Sequence, residues 1–211
     1  MANDRISIIV SMVDPKAGPA FDLCCDHGRI GFQALEKGAS VTFNDREAHL
    51  VEALSSRLKR YHPELYPKAQ FITGDAKAIK FPENSQVIVA GVGNDLIQKI
   101  AKTVPSDAGC QLILGIQKRS IELRRELRSL GWRLELERLC LEKGRFREVL
   151  KLSQTGDNIN DIGIFHKEPK KLKLDFFQTL QKHVKSVQSL DKSTLDTLDM
   201  RIQDTKESPD L

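Results

Sequence analysis

An acidic turn between Phe21 and Gly31 carries the residues of this chain that are best suited to chemistry. Its sequence is Phe-Asp-Leu-Cys-Cys-Asp-His-Gly-Arg-Ile-Gly, and a helix-like segment follows it and ends at Lys37-Gly38. A second apolar run, 41–43, ends in Asn44-Asp45. This is the arrangement of a nucleotide-cofactor site: a strand, a tight turn, a helix, and a strand tipped by an acid that accepts hydrogen bonds from ribose hydroxyls.

The charge of the turn indicates which cofactor it fits. Cys24 and Asp26 stand where a dinucleotide-binding turn has its first two glycines, and of that fingerprint only Gly28 remains. The carboxylates of Asp22 and Asp26 would repel a pyrophosphate and attract a cation. S-adenosylmethionine (SAM) carries a sulfonium and an ammonium group instead of phosphates, so the turn predicts SAM as the cofactor.

Polar or small residues follow four of the predicted strands, as in a ligand crevice at the carboxyl edge of a parallel sheet. These residues are Asp22–Gly28, Asn44-Asp45-Arg46, Gly74-Asp75-Ala76 and Ala90-Gly91. We expect the first group to hold the amino-acid end of the cofactor, Asp45 the ribose, and Asp75 with the Ala76 N–H the adenine. Taken singly, Asp45 or Asp75 could equally cap the helix that follows. The ordered set of four favours a cofactor site.

Strands and helices alternate along the chain as far as Leu152. The apolar spacing predicts strands at 20–23, 40–43, 69–73, 87–90 and 111–115, and helices at 5–13, 30–36, 46–61, 95–102 and 121–130. The last two strands, 133–139 and 145–152, are expected to be antiparallel. The pattern predicts an α/β, Rossmann-like fold with a mainly parallel seven-stranded sheet and a terminal antiparallel hairpin, as in SAM-dependent methyltransferases.

The composition excludes several classes of protein. The chain has 211 residues, of which 40% are apolar, enough for one domain with an appendage. No apolar run approaches the ~20 residues of a membrane span, and the first residues lack the basic and apolar regions of a signal peptide. The four cysteines lack the spacing of a metal site. We interpret them as reduced core thiols of a cytoplasmic protein rather than as disulfides.

Several of these segments also match the motifs of a known family. They are Asp22-Leu-Cys-Cys-Asp-His-Gly28, Asn44-Asp45, Gly74-Asp75, Val89-Ala-Gly-Val-Gly93 and the closing run from Leu123-Arg124 to Arg145-Phe-Arg-Glu-Val-Leu150. With these residues the chain resembles the bacterial tRNA (adenine 22)-N1-methyltransferase family over roughly residues 5 to 152. The Asp26-His27 pair is the most specific element, because most methyltransferases have glycine there.

The resemblance implies a SAM-dependent enzyme that methylates N1 of adenine in tRNA. The attacking nitrogen is a weak base and the product is cationic, so a nearby carboxylate would favour the developing charge. Asp26 is the predicted catalytic carboxylate and His27 the second candidate, although His27 could be a structural residue bonded to backbone. Asn94 is predicted either to contact the acceptor base or to cap the helix from Asp95 onward.

The chain departs from the family pattern at several positions, mainly on the substrate side. Cys24 replaces a glycine, Arg29 an aromatic residue, Val92 a methionine, Asn94 a glycine, Lys118 a proline and Arg147 a tyrosine. Two alternatives therefore stay open. One is a catalytically inactive SAM- or RNA-binding protein of methyltransferase descent, and the other is a methyltransferase with a different acceptor.

Basic residues gather late in the chain. Between Lys118 and Arg147 there are ten Lys and Arg against five Glu. A positive face would attract a phosphate backbone, and on this basis Lys118, Arg119 and Arg145 are predicted substrate contacts. The alternative is a set of ordinary solvated helix and strand faces.

The end of the chain changes character after the predicted methyltransferase domain, 1–152. Residues 153–171 are predicted to be a linker and 172–205 an amphipathic helical extension. The resembled family carries a helical extension that helps to engage tRNA. This shorter extension could instead pack on the sheet or pair with a second copy, so the sequence leaves open a monomer or a homodimer.

Overall fold

The computed structural model describes residues 4–118, 120–186 and 192–208. The strands are β1 (Ala20–Leu23), β2 (Val41–Asp45), β3 (Ala69–Thr73), β4 (Gln86–Ala90), β5 (Gln111–Ile116), β6 (Arg133–Glu142) and β7 (Arg145–Ser153). The helices are α1 (Arg5–Met12), α2 (Arg29–Glu36), α3 (Ala48–Tyr61), α4 (Asn94–Ala101), α5 (Ile121–Ser129), α6 (Lys170–Ser186) and α7 (Lys192–Glu207). In this part of the chain, no helix is both long enough and apolar enough to cross a bilayer.

The strands form one seven-stranded sheet in the order β3-β2-β1-β4-β5-β7-β6. Strands β1 to β5 are parallel, β7 is antiparallel to β5, and β6 is antiparallel to β7. The predicted fold class is therefore confirmed. The strand order reverses between β1 and β4, and ligands bind outside the carboxyl ends of the strands at such a switch point.

Apolar side chains cover both faces of the sheet. On one face α4 and α5 pack through Ile97, Ile100 and Leu127 in a core that includes Val89 and Leu112. The other face is covered by α1, α2 and α3. With a layer of helices on each side, the strands are held rigidly and their carboxyl ends meet at one edge.

The C-terminal helices pack against the sheet domain rather than away from it. Phe177 of α6 and Leu198 of α7 share a buried cluster with Ile121 of α5 and Leu139 of β6. The extension therefore packs on the sheet domain, and pairing with a second copy stays a prediction. Helix α6 begins at Lys170, inside the predicted linker, and the three-part division at 152 and 171 stays a prediction.

The starts of α2, α3 and α4 differ from the sequence prediction by one or two residues. Helix α3 begins at Ala48 rather than Arg46, because β2 continues to Asp45 and Glu47 holds the extended N-cap position. Helix α4 begins at Asn94 with Gly93 as its N-cap. Asn94 is thus the first helical residue, and the alternative that it caps a helix starting at Asp95 is wrong.

Candidate cofactor and acceptor site

The turn after β1 is fixed by backbone hydrogen bonds. Cys25 donates its N–H to the Asn44 carbonyl of β2 at 2.9 Å, and Gly28 donates to the Cys25 carbonyl at 2.7 Å. Cys24 and Asp26 both have positive φ, 53° and 50°, which non-glycine residues adopt at a cost. The chain therefore keeps the tight shape of a glycine-rich turn with two side chains in place of glycines.

Asp22 lies beneath this turn and is almost fully buried, with 2% of its surface exposed. Its Oδ2 accepts the Gly31 N–H at 2.8 Å. Burial raises the pKa of Asp22 to about 7, an effect that the Gly31 hydrogen bond opposes and the charge of Asp45 increases. Asp22 thus supports the first turn of α2, and it does not line either of the cavities described below.

Asp45 joins the end of β2 to the turn. Its Oδ2 accepts the Asp26 N–H at 2.9 Å, and its Oδ1 accepts the Glu47 N–H at 3.2 Å. The carboxylate is partly exposed at the carboxyl end of the strand. This is the position at which we expected an acid for ribose hydroxyls, although the contact with Glu47 also supports the start of α3.

Asn44 acts inside the sheet rather than at its surface. Its side chain is fully buried, and its Nδ2 donates to the carbonyls of Ile72 and Gly74, each at 3.1 Å. The Gly74 N–H donates in turn to the Asp45 carbonyl at 2.9 Å. Asn44 and Gly74 therefore lock the end of β3 beside that of β2.

A cavity of about 270 Å³ lies where these strand ends meet the start of α4. It is lined by Cys24, Arg46, Asp75, Ala76, Lys77, Asp95, Leu96 and Lys99. Four of these residues, Cys24, Arg46, Asp75 and Ala76, were predicted cofactor contacts. The sequence prediction missed Asp95 and Lys99, because nothing in their spacing distinguishes them from ordinary exposed residues of α4.

Two side chains of the small cavity have altered acidity. Asp75 accepts the Lys77 N–H at 3.0 Å, and its Oδ2 lies 3.2 Å from Lys77 Nζ; these contacts, the backbone bond first, lower its pKa. Burial raises the pKa of the Cys24 thiol to about 11, so it is uncharged at neutral pH. The carboxylates of Asp75 and Asp95 share the cavity with the cations Arg46, Lys77 and Lys99, so the site offers partners to both the positive and the negative groups of a cofactor.

A larger groove of about 1110 Å³ adjoins the small cavity. It runs between the start of α4, helix α5, the β6–β7 hairpin and α6, and we call it the acceptor groove. The predicted substrate residues Asn94, Lys118 and Arg145 line it, and Arg119 lies outside the described residues. Asp95 lines both the groove and the small cavity, so the two meet at the first turn of α4.

The remaining predicted residues lie at or near the strand ends. Ala90 is partly buried at the end of β4, and Gly91 follows it with φ of 84°. Gly28, also left-handed at 66°, stands at the start of α2 against Leu54. A Cβ on Gly28 would lie 2.4 Å from a Leu54 methyl carbon, so glycine is required there for packing as well as for φ.

Asp26 and His27 face outward from the turn. Their side chains are 70% and 67% exposed, and His27 Nε2 lies 3.7 Å from Asp26 Oδ1. Arg57 of α3 donates to the His27 carbonyl at 2.6 Å, and neither residue lines the cavity or the groove. Their catalytic role therefore stays a prediction.

Much of the predicted basic face is occupied by ion pairs within the protein. Arg124 is fully buried against Glu148 and Glu137. Arg125 and Arg128 both pair with Asp161, and Arg138 pairs with Glu168. The exposed cations of the run are Lys118, Arg133, Lys143 and Arg145 in the described part of the chain. Counting charges along the sequence overestimated the positive surface, because arginines that anchor the extension cannot be recognised by residue type.

This sheet order, with a cavity at the switch point and an antiparallel hairpin at the far edge, defines a Rossmann-like methyltransferase fold. The chain belongs to the methyltransferase-domain family, whose model matches residues 2–150.

Solved structures share the fold over nearly the whole chain. The B. subtilis M1A22 tRNA methyltransferase TrmK has a TM-score of 0.63 at 19% identity and covers 98% of this chain and 97% of its own. M. capricolum TrmK in complex with S-adenosyl-homocysteine (SAH) has a TM-score of 0.69 at 11% identity, and the match covers 98% of this chain and 97% of that protein. Streptococcus pneumoniae Sp1610 in complex with SAM has a TM-score of 0.71 at 22% identity, and the match covers 98% of this chain and 99% of that protein. A search of curated proteins finds no match.

Proposed function

We propose that this protein is a SAM-dependent methyltransferase that methylates tRNA at N1 of adenine 22. The observation that carries the proposal is the shared wall at Asp95: a small polar cavity at the strand ends opens beside a much larger groove. A methyl donor in the first and a nucleotide in the second would meet at this residue. Methyl transfer depends mainly on such alignment, because the donor is already activated.

The cofactor site is assigned from the strand ends. The backbone of the turn from Cys24 to Gly28 would receive the methionine end, Asp45 the ribose hydroxyls, and Asp75 with the Ala76 N–H the adenine. SAM would supply an electrophilic methyl group on a cationic sulfur. Asp95 would favour that charge, and the uncharged thiol of Cys24 would not compete as a nucleophile.

The acceptor site is assigned to the groove. Asn94 and Gln117 offer amide groups that can pair with the edge of a base, and Lys118 and Arg145 can neutralise flanking phosphates. Asp95 would stabilise the positive charge that develops on the adenine when N1 is methylated. Asp26 stays a second candidate for this role. A side chain beside the site that makes no contact in the free protein can still reach the substrate once the complex has formed.

The similar structures support the choice of acceptor, since two of them are named as TrmK and one of these as a methyltransferase of tRNA M1A22. One was solved with SAM and one with SAH. The free state of all four cysteines supports a cytoplasmic location. A monomer and a homodimer both stay compatible with this function.

The proposal is tested in two stages. Calorimetry with SAM and SAH measures whether the cofactor cavity works, and radiolabelled SAM with tRNA lacking the modification measures transfer. We expect incorporation that nuclease digestion and mass spectrometry assign to 1-methyladenosine, with an initial rate that falls steeply as salt is raised. Tight SAM binding without incorporation into any unmodified tRNA would contradict the proposal and favour a non-catalytic binding protein.

A further inference from the structure

Arg124 of α5 has no surface exposure, yet it makes more hydrogen bonds than any exposed arginine of the basic run in the described residues. Its Nε and Nη2 donate to Glu148 Oε2 at 3.0 and 2.7 Å, and Nη2 also donates to Glu137 Oε2 at 3.0 Å. Nη1 donates to the Asn160 carbonyl at 3.3 Å. One buried guanidinium thus joins α5, both strands of the hairpin and the segment between β7 and α6.

The first group of contacts reaches the sheet side of the acceptor groove. Ser120 and Glu148 both line the groove. Ser120 Oγ donates to Glu148 Oε1 at 2.6 Å and accepts from Arg124 Nε at 3.1 Å. Arg124 therefore fixes the positions of two groove residues without lining the groove itself.

The second group of contacts reaches the opposite side of the groove. Glu137, held by Arg124, accepts the N–H groups of Ile164 and Phe165 through Oε1 at 2.6 and 2.9 Å. The Phe165 ring packs edge-on against Phe176 of α6, with centroids 5.3 Å apart. Phe176 lines the groove together with Thr179, Leu180 and His183 of the same helix.

We propose that Arg124 is a positioning residue that sets the distance between the sheet wall and the α6 wall of the acceptor groove. The inference rests on the proposed function, because it takes this groove as the nucleotide site. In this arrangement the C-terminal extension is part of the acceptor site, and the buried arginine keeps that part in register with the methyl donor.

The geometry requires arginine rather than any cation. The planar guanidinium presents donors in fixed directions, which lets it bridge Glu148, Glu137 and a carbonyl at once. The single ammonium of a lysine cannot span the three acceptors. Arg124→Lys therefore keeps the charge and releases one wall from the other.

The test compares Arg124→Lys with Arg128→Lys. Arg128 lies on the same helix and donates to the Ile159 carbonyl and to Asp161, so it anchors the same segment without touching Ser120 or Glu148. We expect Arg124→Lys to lower kcat/KM for tRNA by roughly 10- to 100-fold, through kcat more than KM, because misplacement by about 1 Å has such effects. SAM affinity should stay within about twofold, and Arg128→Lys should stay near wild type.

A second variant and a second readout protect the test against a simple loss of folding. Glu137→Gln keeps the shape of the side chain but interrupts the same series of contacts between the two walls. The fall in kcat/KM of the double variant with Arg124→Lys should therefore be smaller than the product of the falls in the two single variants. Amide hydrogen exchange should be at least about tenfold faster in α6 of Arg124→Lys and unchanged at the ends of β1 and β2.

The outcomes separate this inference from the proposed function. Active wild-type protein with an equally active Arg124→Lys variant would overturn the positioning role and leave the function standing. Equal losses in Arg124→Lys and Arg128→Lys would reduce Arg124 to an anchor of the extension. If the wild type transfers no methyl group, the function fails, and unchanged exchange in α6 of Arg124→Lys would then overturn the inference by itself.

Discussion

The Asp45 carboxylate of β2 accepts the backbone N–H of Asp26, with 2.9 Å between Oδ2 and the nitrogen. This bond joins the strand end assigned to the ribose to the turn assigned to the methionine end of the cofactor. One side chain would therefore shape the turn and bind the ligand.

Asp45→Ala should weaken SAM binding roughly ten- to a hundredfold, because a hydrogen bond to a charged group contributes about 1.5–3 kcal/mol. Calorimetry measures the affinity. The matched control is Asp14→Ala, an exposed aspartate that accepts the Lys16 N–H and whose N–H bonds to Gln86 at the opposite edge of the sheet. Unchanged SAM affinity in folded Asp45→Ala protein would contradict the ribose assignment.

Asp95→Asn should slow methyl transfer by about 10²-fold, the usual scale for a positioned carboxylate, with a smaller effect on SAM affinity. Asp95 is the acid that lines both the cavity and the groove, whereas Asp26 is 70% exposed at the outer face of the turn. Single-turnover rates of Asp95→Asn and Asp26→Asn, measured with saturating SAM, compare the two. A larger loss in Asp26→Asn would assign the catalytic role to that residue.

The buried carboxyl of Asp22 should make the protein less stable as the pH rises toward neutrality. Its pKa is about 7 when folded and near 3.8 when unfolded, so between these values the folded state holds a proton that the unfolded chain has released. The free energy of unfolding contributed by Asp22 then falls as pH increases, by at most about 1.4 kcal/mol per pH unit.

Urea denaturation of the wild type and Asp22→Asn between pH 5 and 8 isolates this effect. Asparagine can still accept the Gly31 N–H but does not titrate, so the stability difference between the two proteins should change with pH through this window. Asp14→Asn, at an exposed aspartate, should keep the wild-type slope. A difference that is independent of pH would show that Asp22 is already ionised in the folded protein.

Gly31→Ala should destabilise the fold by about 1–3 kcal/mol, the usual cost of an extra methyl in a packed interior. The added Cβ would lie 2.4 Å from Phe43 Cε1 and 2.9 Å from Asp22 Oδ2. Gly93→Ala is the matched control, since the space beside Gly93 is open. Chemical denaturation measures both, and equal stability of the two variants would contradict the packing argument.

The architecture was predictable because its strands and helices have clear hydrophobic patterns. Runs such as 87–90 are apolar throughout, as strands covered on both faces must be, and the helices between them have one apolar side. Cys24, Arg46, Asp75 and Ala76 were found because strand ends of a parallel sheet converge at one edge. Their positions directly after the predicted strands were enough to predict that they lie close together.

Other features depend on distances that the sequence does not contain. Asp95 reads as an ordinary first-turn acid of α4, and it reaches both cavities because α4 starts at the switch point. Arg124 reads as one more surface cation, yet it lies at the centre of a buried ion network. Its burial depends on Glu137 and on the segment before α6, which are distant in sequence, so local patterns carry no sign of it.

The path from Glu137 to Ile164 and Phe165 also bears on how the chain folds as it is made. The sheet and hairpin leave the ribosome before the segment that satisfies Glu137 Oε1 and the helices that cover Ile121 and Leu139. Until then, the nascent protein has an exposed apolar flank around Ile121 and Leu139. Such a stretch is where a growing chain is most exposed to aggregation and to capture by chaperones, so late translation, rather than formation of the sheet, is the vulnerable stage of its synthesis.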